Sequence, residues 1–404
     1  MMSRHVFLMV VGSFLMALAM VWSREDERSW TYVVLTEDQL DEPLDPVVEA
    51  PTFLQEKIKV CLRMNSPNPR RASIFARNYL QLFGGRLDFH LEPKVARTLR
   101  SFYKSQVLTR GSLDLGEEPC DPDWPVLELY KGGLPKRGKN FRAPGALLIS
   151  GDEWCSCSLS CKEKNTTGQT VAQLRNYYST EYTSSYVPLG PQFWFEPFNS
   201  SQILKPSARH FPFNFAGSIT SNSRVIMVKT LNKALTQKEY PNVAKGMFQF
   251  KRKWSADLTS KAYVHPKEYR EMLLNSTFTL CPSGKNVESY RIHEAVEAGS
   301  IPVLALDSYY YKDHRCKDGF RPYIDSKAPF IFVKDWADWP KLMEELLGDL
   351  DALEQRQKDI AAWKVKYWSN ISLKVECTVL EAHNRKPGVK VRYPIHDACK
   401  GLIQ

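Results

Sequence analysis

No C-x-x-C pair, internal repeat, low-complexity run or stripe of lysine and arginine occurs in this 404-residue sequence. Each absence removes a class of protein. Without a repeat the chain is not a stack of like units. Its composition, 43% hydrophobic and 25% charged, is that of a globular protein and not of a disordered one. The net charge of +10 raises the question of nucleic acid, but the basic residues are scattered and no RNA-type aromatic signature accompanies them. The balance fits a basic protein that handles an anionic ligand. Cys155, Cys157 and Cys161 are close together, yet no neighbouring histidine completes four zinc ligands. His265, His293 and His314 have no ligand spacing either, so no metal site is expected.

What is present begins at the N-terminus. Arg4 and His5 precede an uncharged run from Val6 to Trp22, at the short end for a membrane span and the long end for a signal-peptide core. Ala17-Leu18-Ala19 supplies an A-x-A cleavage pattern, but the apolar run continues past it. The expectation is an uncleaved signal anchor, single-pass, with the rest of the chain lumenal in the Golgi or endoplasmic reticulum. Four N-x-S/T sequons, at Asn165, Asn199, Asn275 and Asn370, agree with that compartment. Nine cysteines would be oxidised there, with at least one left over.

The length suits two domains of ordinary size. The expected division is an anchor over 1–23, a stem over 24–55, an N-terminal domain over 56–200, a C-terminal domain over 201–345, and a helix with tail over 346–404. The first domain opens at Ile58, Val60 and Leu62, which alternate as in a strand. A helix-like "IFARNYLQLFGG" follows, and "GALLIS" reads as a buried parallel strand. "SSQILKPSARHF" reads as the linker. Beyond it, strand, Gly-Ser turn and helix are expected in "FPFNFAGSITSNSRVIMVKTLNKAL". A helix with Pro266 in its first turn follows, then strand "TFTLC", a helix from Val287 to Gly299, and strands "IPVLAL" and "PFIFV". From Trp339 to about Ser369 the pattern is one long helix with Leu342, Leu346, Leu350 and Leu353 on one face. The class is α/β, two Rossmann-like domains facing across a cleft.

Chemistry concentrates in the second domain. The loop from Pro282 to Asn286 joins a strand to a helix, the arrangement that binds anions at helix N-termini. Ser283 and Gly284 are small enough for a phosphate to approach the backbone. Ser289 lies in the first turn, with Arg291 and Glu294 three residues apart behind it. A guanidinium can clamp a diphosphate, and a carboxylate can accept from both hydroxyls of a ribose. Such a pair also occurs as a plain surface salt bridge worth about 0.2–0.5 kcal/mol. A second turn of the same kind, Gly217-Ser218 trailed by Arg224, favours a nucleotide diphosphate.

The order of residues in "STFTLCPSGKNVESYRIHEAVEAGSIPV" closely resembles the donor-domain signature of the exostosin-like glycosyltransferases. "APFIFVKDWADWP" downstream makes it most similar to the ribitol xylosyltransferase branch, and "FNFAGSITSNSR" and "LLISGDEWC" match more loosely. The resemblance spans roughly 145 to 345. It implies a GT-B fold with the nucleotide in the C-terminal domain, the acceptor in the N-terminal one, and an inverting transfer. It further implies UDP-xylose as co-substrate, ribitol phosphate on O-mannosyl glycans as acceptor, no metal cofactor, and a Golgi membrane enzyme. On it, Ser289 and Arg291 lie near the diphosphate and Glu294 holds the ribose, while Gly217, Ser218 and Arg224 line the opposite wall.

An inverting transfer needs a base for the acceptor hydroxyl and positive charge for the departing UDP. Asp152 and Glu153, at the carboxyl end of "GALLIS", are the candidate bases; a turn or cap role is the alternative. A metal-dependent GT-A transferase would carry Asp-x-Asp after an apolar strand. Here Asp121 follows "GEEPC" and Asp349 lies in a helical pattern. A lumenal glycan-binding protein without catalysis is the reading from another class.

Overall fold

The computed structural model describes residues 58–64, 87–91, 120–131, 146–150, 173–178, 185–192, 195–251, 265–284, 286–306, 318–386, 388–390, 392–395, 397 and 399. Two parallel sheets organise them. The first holds β1 (Ile58–Met64), β2 (Leu87–Leu91), β3 (Val126–Lys131), β4 (Ala146–Ser150), β5 (Gln173–Arg175) and β6 (Ser185–Tyr186), in the order β2-β1-β3-β4-β5-β6. The second holds β7 (Phe211–Ser218), β8 (Met247–Lys251), β9 (Ser276–Leu280), β10 (Ile301–Ala305) and β11 (Ile331–Val333), in the order β11-β10-β9-β7-β8. Every pairing in both sheets is parallel.

The sequence accounts for these strands. β9 and β10 are buried at every position, as strands of a sheet covered on both faces are; β10 is apolar throughout, while β9 alternates Phe278 and Leu280 with buried Ser and Thr. Below the strand ends a buried polar ladder fixes their register. Asn214 Nδ2 donates to Thr279 Oγ1 at 2.8 Å, and Thr279 Oγ1 lies 2.7 Å from Ser300 Oγ. A one-residue slip would break that chain and turn the apolar set to the wrong face.

The described α-helices are α1 (Asn222–Gln237), α2 (Pro266–Leu274), α3 (Tyr290–Glu297), α4 (Arg321–Asp325), α5 (Trp339–Leu347) and α6 (Leu350–Asn384), with short 3-10 turns between elements. α3 begins at Tyr290 and not at Val287, because Ser289 is the extended N-cap residue and not part of the first turn. Gly217 and Ser218 close β7 and are not themselves the turn. The long helix expected from Trp339 is two helices. Asp349 caps the second, its carboxylate accepting from Ala352 N at 2.9 Å. That break shifts the leucine phase: Leu353 is 1% exposed, whereas Leu350 is 44% exposed. Asp349 is therefore a helix cap, and Asp121 closes a turn by accepting from Asp123 N at 2.8 Å. His265 caps α2, accepting from Lys267 N.

α6 packs against β3, β4 and β5 of the first sheet and against α3 and β10 of the second. In "KDWADWP" the two tryptophans and Pro340 are core. Trp339 packs edge-on against Phe278 with ring centroids 5.1 Å apart, and Trp336 Nε1 donates to Ser223 Oγ at 2.9 Å. Disulfides join Cys61 to Cys120 and Cys377 to Cys399, while Cys281 is a buried free thiol that burial pushes up to about 12. Of the sequons, Asn199 and Asn370 are exposed and Asn275 is half-buried at the C-cap of α2. Asn165, the stem, the Cys155–Cys161 cluster and Val6 to Trp22 lie outside the described residues. No described helix is long and apolar enough to cross a membrane.

Candidate nucleotide site at the β7 and β9 strand ends

Chain order reverses at β7. From it the chain steps to β8 on one side and then to β9 on the other. Loops leaving β7 and β9 thus diverge, and the crevice between them is where ligands sit in open parallel sheets. The two loops are tied together: Ser221 Oγ donates to the Ser283 carbonyl at 2.5 Å.

Each loop leads into a helix with an arginine in its first turn, and each arginine lies against a glycine of the other strand–loop unit. Arg291 of α3 follows the β9 loop, yet its Nη2 would stand 2.7 Å from a Cβ placed on Gly217 at the end of β7. Arg224 of α1 follows the β7 loop, and its Nη2 would stand 3.0 Å from a Cβ on Gly284. At both positions a side chain would push on the guanidinium that passes over the backbone there, so glycine lets the arginine lie where it does. The expected small residues and the expected arginines are one interlocked structure.

Arg291 is fixed from two sides: it donates to the Ala216 carbonyl and its guanidinium lies 4.7 Å from the Phe215 ring centroid. Arg224 Nη1 donates to the Ser218 carbonyl at 2.8 Å and approaches Ser218 Oγ at 3.2 Å. Two polar atoms stay unsatisfied beside them. Ser289 makes no side-chain cap bond, and its buried Oγ has no hydrogen-bond partner; neither has the buried Nε of Arg291. Buried polar groups are nearly always paired, so orphaned ones in a cationic crevice mark where an anionic ligand's oxygens fit.

Glu294 differs from expectation. It is 3% exposed and both oxygens are engaged, Oε2 by Tyr269 Oη at 2.6 Å and Oε1 by Gln192 N at 3.1 Å. Burial pushes its carboxyl above the usual carboxylate range, against the pull of Tyr269, Arg291 and the Gln192 amide. A carboxylate oxygen has two lone pairs, so each still has room for one hydroxyl. Reading the sequence misses Glu288, whose Oε1 accepts from Leu189 N, Tyr323 Oη and His293 at 2.7–2.9 Å. No periodicity marks a carboxylate that bonds an amide so distant in sequence. His293 belongs to this network and packs on Trp368. Asp152 and Glu153 lie outside the described residues. Among the described residues no group of three or more His, Cys, Asp or Glu is gathered to hold a metal.

Residues 194–382 match the family model of the RXYLT1 C-terminal domain. The ribitol-5-phosphate xylosyltransferase 1 of Danio rerio is 32% identical over 174 residues, covering 42% of this chain and 36% of that protein. Exostosin-1 of Drosophila melanogaster is 31% identical over 130 residues, 31% of this chain and 16% of that protein. The matched portion of the chain is similar to the exostosin-like family. Within that family the similarity includes the ribitol-5-phosphate xylosyltransferases, and the chain spans no more than half the length of those it matches. Among solved structures, an α-glucosyltransferase in complex with UDP-glucose and abasic DNA aligns at a TM-score of 0.41 and 10% identity, covering 77% of this chain and 96% of its own. That likeness is too loose to carry an argument; the sheet orders above define the fold. The family signature maps onto the β9 loop, α3 and β10, the elements that present Arg291 and Ser289.

Proposed function

We propose that this chain is an inverting glycosyltransferase of GT-B type that takes a sugar from a UDP-sugar, best matched by UDP-xylose, to a glycan hydroxyl such as ribitol phosphate on O-mannosyl glycans. The observation that carries the reading is the crossed pair of arginines over Gly217 and Gly284, with Ser289 Oγ and Arg291 Nε left unpaired beside them. Arg224 and Arg291 hold the diphosphate and stabilise the charge on UDP as it departs. Ser283, Gly284 and Ser289 frame the phosphates, Gly217 and Ser218 form the facing wall, and Glu294 accepts from the ribose. Asp152 or Glu153, at the carboxyl end of β4, takes the proton from the attacking hydroxyl. The first sheet then holds the acceptor. The names of the relatives support xylose and ribitol phosphate; the site supports a nucleotide diphosphate.

The two disulfides fit an oxidising lumen, and Val6 to Trp22 is proposed to anchor the chain there. One experiment addresses donor and anchor together. Membranes bearing the full chain are permeabilised with saponin, washed, and assayed against a panel of UDP- and GDP-sugars. Retained turnover with UDP-xylose preferred is expected. Activity leaving with the wash would remove the anchor, and glycan binding without turnover of any sugar would leave a binding module.

A further inference from the structure

The chain leaves the first sheet after Tyr186 and reaches the second at Phe211, and the first part of that crossing, residues 187–192, is gripped from the nucleotide side. Leu189 N–H donates to Glu288 Oε1 at 2.9 Å, and Gln192 N–H donates to Glu294 Oε1. At the other end, Asn176 beyond β5 donates Nδ2 to the Val187 carbonyl at 2.9 Å. The segment is thus tied to the first sheet by Asn176 and to the β9 loop by Glu288.

Glu288 is an expensive residue to keep here. Its side chain is 1% exposed, and its Oε2 is buried with no hydrogen-bond partner. An apolar side chain would fill the space without that desolvation cost. What the carboxylate adds is connection. Its Oε1 also takes the Tyr323 hydroxyl of α4 at 2.7 Å and faces His293 Nε2 of α3 at 2.9 Å. Tyr186 of β6 and Tyr367 of α6 lie in the same buried cluster, and burial together with the Glu288 charge raises both phenols. The crossing segment, α3 and α4 therefore bond one side chain of the nucleotide loop, with Tyr186 of the first sheet and Tyr367 of α6 close enough to feel its charge. A polar network of this kind specifies one arrangement of the parts it joins.

We propose that Glu288 is a positioning residue for the transfer, holding the crossing segment against the nucleotide loop and so setting the separation between sugar and acceptor hydroxyl. This rests on the glycosyltransferase reading. The bonds of Glu288 Oε1 run to Leu189, Tyr323 and His293, none of them a residue placed against the nucleotide, so its removal separates placement from nucleotide binding.

The test compares wild type with Glu288→Ala and Glu288→Gln. In Glu288→Ala, amide exchange over 187–192 is expected to quicken about tenfold or more while the β7 and β9 amides hold. kcat should fall about tenfold or more, since misplacement by an ångström carries a cost of that order. The Kd for UDP should change far less than kcat, because the bonds lost run to Leu189, Tyr323 and His293 and not to a group placed against the nucleotide. Glu288→Gln keeps an acceptor oxygen for Leu189 and Tyr323 and should restore most of both losses. Unchanged exchange and kcat in Glu288→Ala, or a UDP affinity that falls as far as kcat, would overturn the proposal. If Glu288→Ala does not fold, Tyr323→Phe removes one donor to the same oxygen and keeps the ring; a smaller loss in the same two readouts is expected. A wild type that binds no UDP would sink the functional reading, while the exchange measurement still reports on the grip itself.

Discussion

Replacing Arg209 by methionine is expected to lower the unfolding free energy by about 3 kcal/mol or more. This guanidinium, 9% exposed, donates to the carbonyls of Leu204, Leu273, Ser276, Ala298 and Gly299 at 2.7–3.2 Å. It thereby joins the linker, the end of α2, the start of β9 and the turn after α3. Gln357 of α6 shares two of those acceptors, Leu204 and Gly299. Burial pulls the Arg209 pKa down to about 10, so desolvation offsets part of the bonding and the five contacts do not simply add. Methionine keeps the stem but supplies no donor, leaving the Ser276 and Ala298 carbonyls without this partner. Lysine keeps the charge and offers fewer donors in a different geometry, so an intermediate loss is expected. Urea denaturation of the three proteins measures it. A methionine variant as stable as wild type would show that water or Gln357 replaces the arginine.

The second large effect falls on turnover. If Asp152 or Glu153 removes the acceptor proton, Asp152→Asn or Glu153→Gln should lower kcat by ~10²-fold or more. UDP affinity should hold, because both residues follow β4 of the first sheet and the arginines sit on the second. Steady-state kinetics beside UDP titration separates the two quantities. Full activity in both single variants would remove both residues from the mechanism.

How far the sequence reveals this molecule depends on the kind of signal. β10 is legible as a continuous apolar run buried on both faces, and β9 as a short stretch of β-branched and aromatic residues in which Phe278 and Leu280 alternate with Thr277 and Thr279. β8 is harder to read: it is an edge strand of the second sheet, half-buried, and "MFQFK" is too short for a clear period. The break at Gly348 and Asp349 is hidden because both flanking segments are helical, and one capping aspartate is all that divides them. At the site, Arg224, Arg291 and the glycines are legible as two strand–loop–helix turns. Their crossing is not, since it depends on β7 and β9 lying side by side. Glu288 and the buried state of Glu294 escape for the same reason: their partners, Leu189 and Gln192, come from the crossing segment.

The central claim is that Arg291 meets a diphosphate, and calorimetric titration with UDP and with uridine tests it most directly. A charged hydrogen bond of this kind is worth about 1.5–3 kcal/mol, so Arg291→Ala should weaken UDP binding more than about tenfold. Uridine lacks the phosphates and should lose far less. Glu294→Gln should weaken both ligands alike, because the ribose is common to them. Wild-type binding of UDP, with that asymmetry between the two variants, is the predicted result. An Arg291→Ala protein that keeps its fold and binds UDP as wild type does would contradict the account.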